Sequence, residues 1–296
     1  VIVSPPQITY VDPDGNNWYL TDLMLSQGYV CTAIVGVSGV PVSFSSIPLL
    51  NGGALPQMLV PQPGQIAMGL YAESQGDINA YMKLLDSIAY AFHSLRNGVP
   101  TPGYLQVQRQ DGSTRQLQVF TVSGTEVPTD ETSFWSTYAI ALQSDDPYWY
   151  DLNPMSKTYV LAGQAVGILP LLPIALGAST VFGSDTITND GGAEAYPVWT
   201  ITGPGLPVIQ NVTTGRQFSF NTALTSGQVI QVDTRPGRQS AVDVNAGVSV
   251  WSQIIQNSPR DLWSLARGDN KIFLTMGGAG PGSSVVISWY RRWLRA

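Results

Sequence analysis

The chain has one cysteine and one histidine in 296 residues, and only 11% of its side chains are charged. Cys31 alone excludes an internal disulfide and a thiolate metal cage, and with His93 as the lone imidazole a zinc site lacks ligands. A single reduced cysteine fits synthesis in a reducing compartment. Ser-His-Asp catalysis would have to use His93, which lies in a helical pattern with no nucleophile-elbow motif near any serine. No glycine run matches a phosphate loop or a dinucleotide fingerprint. Long apolar runs are also missing. The most apolar stretch, Ala165 to Ala178, is broken by Pro170 and Pro173 and is too short to span a bilayer. Residues Val1 to Pro6 carry no basic region and no apolar run, so neither a signal peptide nor a membrane partner is expected. These absences leave no cofactor, no metal and no enzyme as the expectation.

Glycine (30) and proline (21) are plentiful, with Val, Thr, Ser, Gln and Asn filling much of the remainder. That mixture disfavours long helices and suits short strands joined by tight turns. The length suits two domains, each able to bury a core of its own. Charge is unevenly spread. Residues 1–159 hold five basic against thirteen acidic side chains, and residues 160–296 hold nine against seven. Chance explains such a split; so does an acidic half that lines something closed to polyanions.

Asp12-Pro13-Asp14-Gly15-Asn16 is a turn ahead of Trp18-Tyr19. It lacks the further acids of a calcium loop. Tyr29 to Phe44 is β-branched and reads as strand. Residues 45–70 are rich in proline and glycine with apolar residues between, either an arm seeking a neighbouring subunit or an ordinary connection. Residues 77–96 are the strong helix signal. Asp77 is placed to cap it, Ile78, Tyr81, Met82, Leu85, Ile88, Ala89, Phe92 and Leu95 recur on one face, and Asn97-Gly98 ends it. A hairpin around Asp111-Gly112 and a strand from Phe134 to Leu142 follow. Beyond Asp151 short strands recur with no helical period, which suggests a sandwich. The predicted class is mainly β, with domains at 1–152 and 153–296.

At the boundary sits Asp145-Asp146-Pro147-Tyr148-Trp149-Tyr150-Asp151. Pro147, Tyr148, Trp149 and Tyr150 read as a structural seal at the domain junction, with Pro147 breaking the last strand of the first domain. Asp145-Asp146 and Asp130-Glu131 are the adjacent carboxylates a glycosidase would need to set apart; solvated turn residues explain them better. Trp199 and Trp251 are candidate sugar contacts and Trp263 a third aromatic, though each sits in an apolar strand or turn context that core packing explains better. Arg291, Arg292 and Arg295 cluster beside Trp289 and Trp293 as a charged rim, a subunit salt bridge or a phosphate contact.

The order of these features resembles the siphophage distal tail protein family, the hub component at the tail tip. It comprises the helix at 77–96, the Asp111-Gly112 hairpin and Asp146-Pro147-Tyr148-Trp149-Tyr150. Then come Asn189-Asp190-Gly191-Gly192, Tyr196 through Gly205, Pro207 through Gly215, Gly227 through Thr234, Gly268-Asp269-Asn270, and a final strand ending at Trp293. The resemblance implies an N-terminal belt domain, a split β-barrel with one α-helix, that closes into a homo-hexameric ring. It implies a C-terminal galectin-like β-sandwich outside the ring. The implied partners are the tail tube protein above and a tail-associated lysin or hub protein below, in a virion tail tip. DNA would pass through without specific binding. The competing expectation is a carbohydrate-binding module for the host cell wall.

Overall fold

The computed structural model describes residues 6–74, 76–126, 134–160, 183–256 and 262–296. The Asp130-Glu131 pair and the stretch Ala165 to Ala178 lie outside them. The chain divides into two compact units, Val1–Leu152 with Trp293–Ala296, and Asn153–Arg292. The last four residues lie in the first unit.

In the first unit the strands run in the order Asn17–Tyr19, Gln7–Val11, Gly103–Gln108, Thr114–Ser123, Trp135–Ser144, Gly64–Glu73, Tyr29–Val35. The pairings along this order are antiparallel. Thr114–Ser123 changes partners midway. Residues 114–119 pair with Gly103–Gln108, and Phe120 to Ser123 pair with Trp135–Ser144. The sheet thereby changes pairing partner along this strand. Burial alternates strictly along Gly64–Glu73 and Trp135–Ser144, because successive side chains in a strand point to opposite faces. One face carries Ile66, Met68, Leu70, Tyr138, Ile140 and Leu142, all buried in one cluster with the helix.

The helix is Ile78–Ala91, shorter than the 77–96 its periodicity predicts. Asp77 caps it, accepting from the N–H groups of Asn79 and Ala80. Its buried face is Tyr81, Leu85, Ile88 and Ala91, while Ile78, Met82 and Ala89 face outward. The helix stops early because Asn97 and Gly98 both take positive φ in a tight turn, which needs extended residues before it. Leu95–Arg96 accordingly pairs with Val99–Pro100. Arg96 reaches back to the carbonyls of Tyr90 and His93, supplying the positive charge a helix C-terminus favours. Phe92, just beyond the helix, stacks on Tyr10 with ring centroids 4.4 Å apart.

The expected connection at 45–70 is really two things. Gly64–Glu73 is a core strand, and Val42–Pro48 with Ala54–Pro61 forms a separate two-stranded hairpin.

The second unit is a β-sandwich. One sheet has the order Met155–Val160, Ser284–Trp289, Val198–Thr202, Val229–Asp233, Ser240–Asp243, Val248–Ser249. The other has the order Ser184–Asn189, Gly268–Gly277, Leu206–Asn211, Arg216–Phe220, Ile254–Gln256. Trp199, Ile201, Ile230 and Ile287 from the first sheet share one buried cluster with Ile209, Phe218, Ile272 and Leu274 from the second. Each such side chain contributes about 1.5–3 kcal/mol by leaving water. Asn189 and Asn270 are fully buried and bond loop backbone: Asn189 donates to the carbonyls of Ala193 and Leu265, Asn270 to those of Ala266 and Gly268. The asparagines of the sequence motifs are therefore substitutes for missing strand partners.

Two predictions follow from these packing details. A Cβ on Gly103 would lie 2.6–2.8 Å from the Tyr10 ring, which the Phe92 stack holds in place. Gly103→Ala is expected to cost about 1–3 kcal/mol by overpacking, read as a lower urea midpoint; an unchanged midpoint would show slack there. For Asp12, burial alone raises the pKa, but hydrogen bonds from Asn16, Trp18 and the Asp14 N–H outweigh it and hold the carboxyl below 3.8. A depressed folded pKa stabilises above the unfolded value, and that stability is lost as pH falls through the folded one. Asp12→Ala should therefore lower stability at pH 7, with the gap from wild type closing below about pH 4.

Candidate functional site

The hairpin Val42–Pro48/Ala54–Pro61 is the feature of the first unit that packing leaves unexplained. Its cross-strand pairs include Phe44 with Leu59 and Ile47 with Leu55. These side chains are exposed, Phe44 at 62% and Leu59 at 63%, and Val42, Leu49, Leu50 and Met58 join them. Register puts Phe44 and Leu59 on one face and Met58, Ile47 and Leu55 on the other, so the hairpin is apolar on both sides. No charged residue occurs anywhere from Leu23 to Ala72. The proline, glycine and apolar content of 45–70 admits either an arm or an ordinary connection; the uninterrupted absence of charge is the stronger signal.

Tyr29–Val35 lies at the end of the sheet order. An edge strand normally carries lysine, proline or a bulge against pairing with another chain. This one has a register shift near Cys31 to Ala33 but neither charge nor proline. The solvent face beside it, formed by Thr32, Ala33, Gln65, Ala67, Thr137 and Ala139, is exposed and uncharged.

Pro147 to Tyr150 serve the strand that changes partners. Trp135–Ser144 ends at a bend, where the Ser144 hydroxyl donates to the Asp146 carbonyl at 2.6 Å. Asp146 accepts from the Tyr148 N–H and the Tyr150 hydroxyl. Pro147 is buried and lies against Gly64. The chain then resumes as Trp149–Asp151 on the residues of Thr114–Ser123 that Trp135–Ser144 leaves open, pairing Tyr150 with Gln116 and Asp151 with Arg115. Trp149 is 1% exposed and belongs to the core of the first unit.

The end of the chain closes on the same place. The Arg115 guanidinium lies 3.9 Å from the Trp293 ring centroid and donates to the Arg295 carbonyl at 2.8 Å. The Trp293 indole N–H donates to the Asp151 carboxylate at 2.8 Å. Ala296 N–H donates to the Val37 carbonyl. Burial pulls the Arg115 pKa below its ordinary value and Arg109 adds to the shift, while Asp151 opposes it; an arginine stays charged regardless. A buried cation stacked on an indole and bonded to a carbonyl is a desolvated cation–π contact, the strong kind.

The remaining candidates are scattered. Trp199 is fully buried, edge-on to Trp263 at 5.2 Å and to Phe218 at 6.1 Å, so it has no face for a sugar. That corrects the sugar-contact expectation for it. Trp251 is 40% exposed on a short 3-10 turn. His93 is exposed. Arg291 pairs with Asp190, Arg292 is buried over the Tyr196 ring, and Arg295 belongs to the first unit. The three arginines thus form no phosphate patch. No group of His, Cys, Asp and Glu among the described residues is arranged to hold a metal.

No protein-family model and no curated protein matches the sequence. Solved structures do. The SPP1 Dit protein, described as a paradigm of the hub adsorption apparatus in phages infecting Gram-positive hosts, aligns over 98% of this chain and 100% of its own, with a TM-score of 0.66 and 11% identity. The chain has the distal tail protein fold. Chains of the phage p2 baseplate in its activated conformation also align with this chain. The strontium form aligns with a TM-score of 0.57 and 10% identity over 97% of this chain and 98% of that one. The calcium form aligns with a TM-score of 0.53 and 11% identity over the same shares. At such identities the likeness is one of fold.

The clasp at the chain end yields a test. Trp293→Ala should destabilise the first unit by about 2 kcal/mol, by losing the indole's burial, its stack on Arg115 and its bond to Asp151. Trp293→Phe should recover part of that. Thermal denaturation reads both, and equal losses would show that the ring contributes nothing.

Proposed function

We propose that this protein is a structural component of a phage tail tip, assembling as a ring of six copies that joins the tail tube to the hub proteins and lets DNA pass. The observation that carries the reading is the uncharged hairpin. An apolar hairpin exposed on both faces is unstable in water and implies a covering surface. A second copy supplies one without any other gene product. A ring forms when the contact is head-to-tail, with hairpin and acceptor on different parts of each subunit. Such a contact needs roughly 800 Å² per partner, which eight or so large apolar side chains supply. The edge strand Tyr29–Val35, which carries a bulge but neither charge nor proline, suits the same assembly, since pairing with another copy satisfies the backbone groups it leaves open.

The acidic balance of residues 1–159 supports a DNA conduit, because binding is driven by Lys and Arg neutralising phosphates. Pro147, Tyr148, Trp149 and Tyr150 act in this reading as the seal where the chain leaves the ring-forming unit. The protein is made in the host cytoplasm, works in the virion and catalyses nothing. The fold's nearly full-length likeness to SPP1 Dit and the p2 baseplate supports the tail location. The glycan-binding alternative for the second unit retains only Trp251.

Light scattering should give about six times the 31.8 kDa chain mass, and electron microscopy a six-fold ring. Phe44→Asp with Leu59→Asp should yield a monomer whose circular dichroism spectrum is unchanged, with a lower melting temperature because the stabilisation from assembly is lost. A wild-type chain that stays monomeric even with the tail tube protein present would remove the ring. A ring indifferent to the double substitution would remove the hairpin's part in it.

A further inference from the structure

A cleft of about 350 Å³ opens in the first unit between the turn Asp12 to Trp18 and the C-terminal half of the helix. Asp12, Asn16, Trp18, Asp86, Ser87 and Tyr90 line it. None of these residues takes part in the hairpin, the edge strand or the chain-end clasp.

Its walls are held before any ligand arrives. The Asp12 carboxylate accepts from the Asp14 N–H at 3.0 Å, the Asn16 N–H at 2.8 Å, the Asn16 amide, and the Trp18 indole N–H at 3.2 Å. The last bond orients the indole, which packs against Tyr29 at 5.1 Å between centroids. Arg96 ties the turn to the helix. It pairs with Asp14 at 2.8 Å, donates to the Tyr90 carbonyl at 3.0 Å, and lies 4.3 Å from the Tyr90 ring centroid. Pre-formed walls lower the ordering cost of binding.

We propose that this cleft binds a neutral saccharide of one or two rings. Two carboxylates and two aromatic rings would at first suggest a cation. The hydrogen bonds argue otherwise. Both oxygens of Asp12 already accept from the donors just named. Arg96 offsets Asp14 and occupies one face of Tyr90. Of the lining acids only Asp86 remains, and it is exposed on the helix, where water screens its charge. What the cleft offers is an oriented indole, a phenol, a carboxamide oxygen, one open carboxylate and the lone pairs of the Ser87 hydroxyl, whose proton goes to the Lys83 carbonyl at 2.8 Å. The carboxylate, carboxamide and Ser87 oxygens accept from sugar hydroxyls, the phenol can also donate, and an indole face matches the C–H face of a pyranose. The volume lies at the lower end of small-ligand sites, which limits the guest to one or two rings.

Saturation-transfer NMR on the full chain tests this, using methyl glycosides of glucose, galactose, N-acetylglucosamine and rhamnose at about 5 mM, where a weak, millimolar ligand is visible. At least one glycoside should show transfer. Asp86→Ala and Tyr90→Ser alter exposed helix positions and should each reduce it by about five-fold or more. Circular dichroism confirms that both variants fold. Trp251→Ala should leave the signal as it is. No transfer from any glycoside would overturn the proposal, as would a signal indifferent to both helix variants. Loss of signal in Trp251→Ala would move the sugar to the second unit. Binding of n-butylammonium in place of every glycoside would assign the cleft to a cation. Each of those two results also overturns it. The outcome is independent of whether the chain forms a ring.

Discussion

The first unit depends on the backbone pairing of one strand, Thr114–Ser123. One edge of it is taken by Gly103–Gln108; the other is divided between Trp135–Ser144 at residues 120–123 and Trp149–Asp151 at residues 115–116. A strand edge left open in a protein interior would strand its N–H and C=O groups at a cost comparable to lost hydrogen bonds. The bend at Asp145 to Tyr148 exists to prevent that. It turns the chain off one stretch of the shared strand and sets it down on the next, with Asp146 and Ser144 satisfying the backbone of the bend itself. The chain end then covers this repair, since Trp293 bonds Asp151 and stacks on Arg115, the residues paired across it. The first unit is thus completed by the last four residues of the sequence.

The second unit meets the same backbone constraint with different means. Its sheets are continuous ladders, and what remains unpaired lies in loops. Asn189 and Asn270 lend side-chain amides to those loops from fully buried positions. Buried amides of this kind are costly if half satisfied. Their bonding here shows why asparagine and glycine, not charge, mark the turns of this half.

Against these closed systems the exposed elements of the first unit stand out by contrast. The hairpin, the edge strand and the neutral sheet face all fall within or beside one uncharged run. Charge on an edge or an arm is the usual guard against unwanted pairing. Its absence over so long a stretch is what an assembly surface needs, because each charged group buried between subunits would carry a desolvation penalty. The acidic side chains sit elsewhere, many of them as turn caps, as Asp12, Asp77 and Asp111 show.

Local patterns in the sequence were enough to determine the β class, the helix and its Asp77 cap, the Asp111-Gly112 hairpin, and the change of character near residue 152. Each of these is set by neighbours a few residues apart, through side-chain periodicity and turn chemistry. The order of those features also determined the likeness to distal tail proteins. Tertiary structure decided the rest. It ended the helix at Ala91 because Arg96 and the Asn97-Gly98 turn were better partners for its end than another turn of helix. It put Trp199 inside and left Trp251 half outside, although both are tryptophans among apolar residues. It split residues 45–70 between an arm and a core strand, and it returned Trp293 to Arg115. All of these turn on contacts between residues far apart in sequence. Such contacts are decided by which faces are left to cover once the local elements have formed, and no local pattern records that.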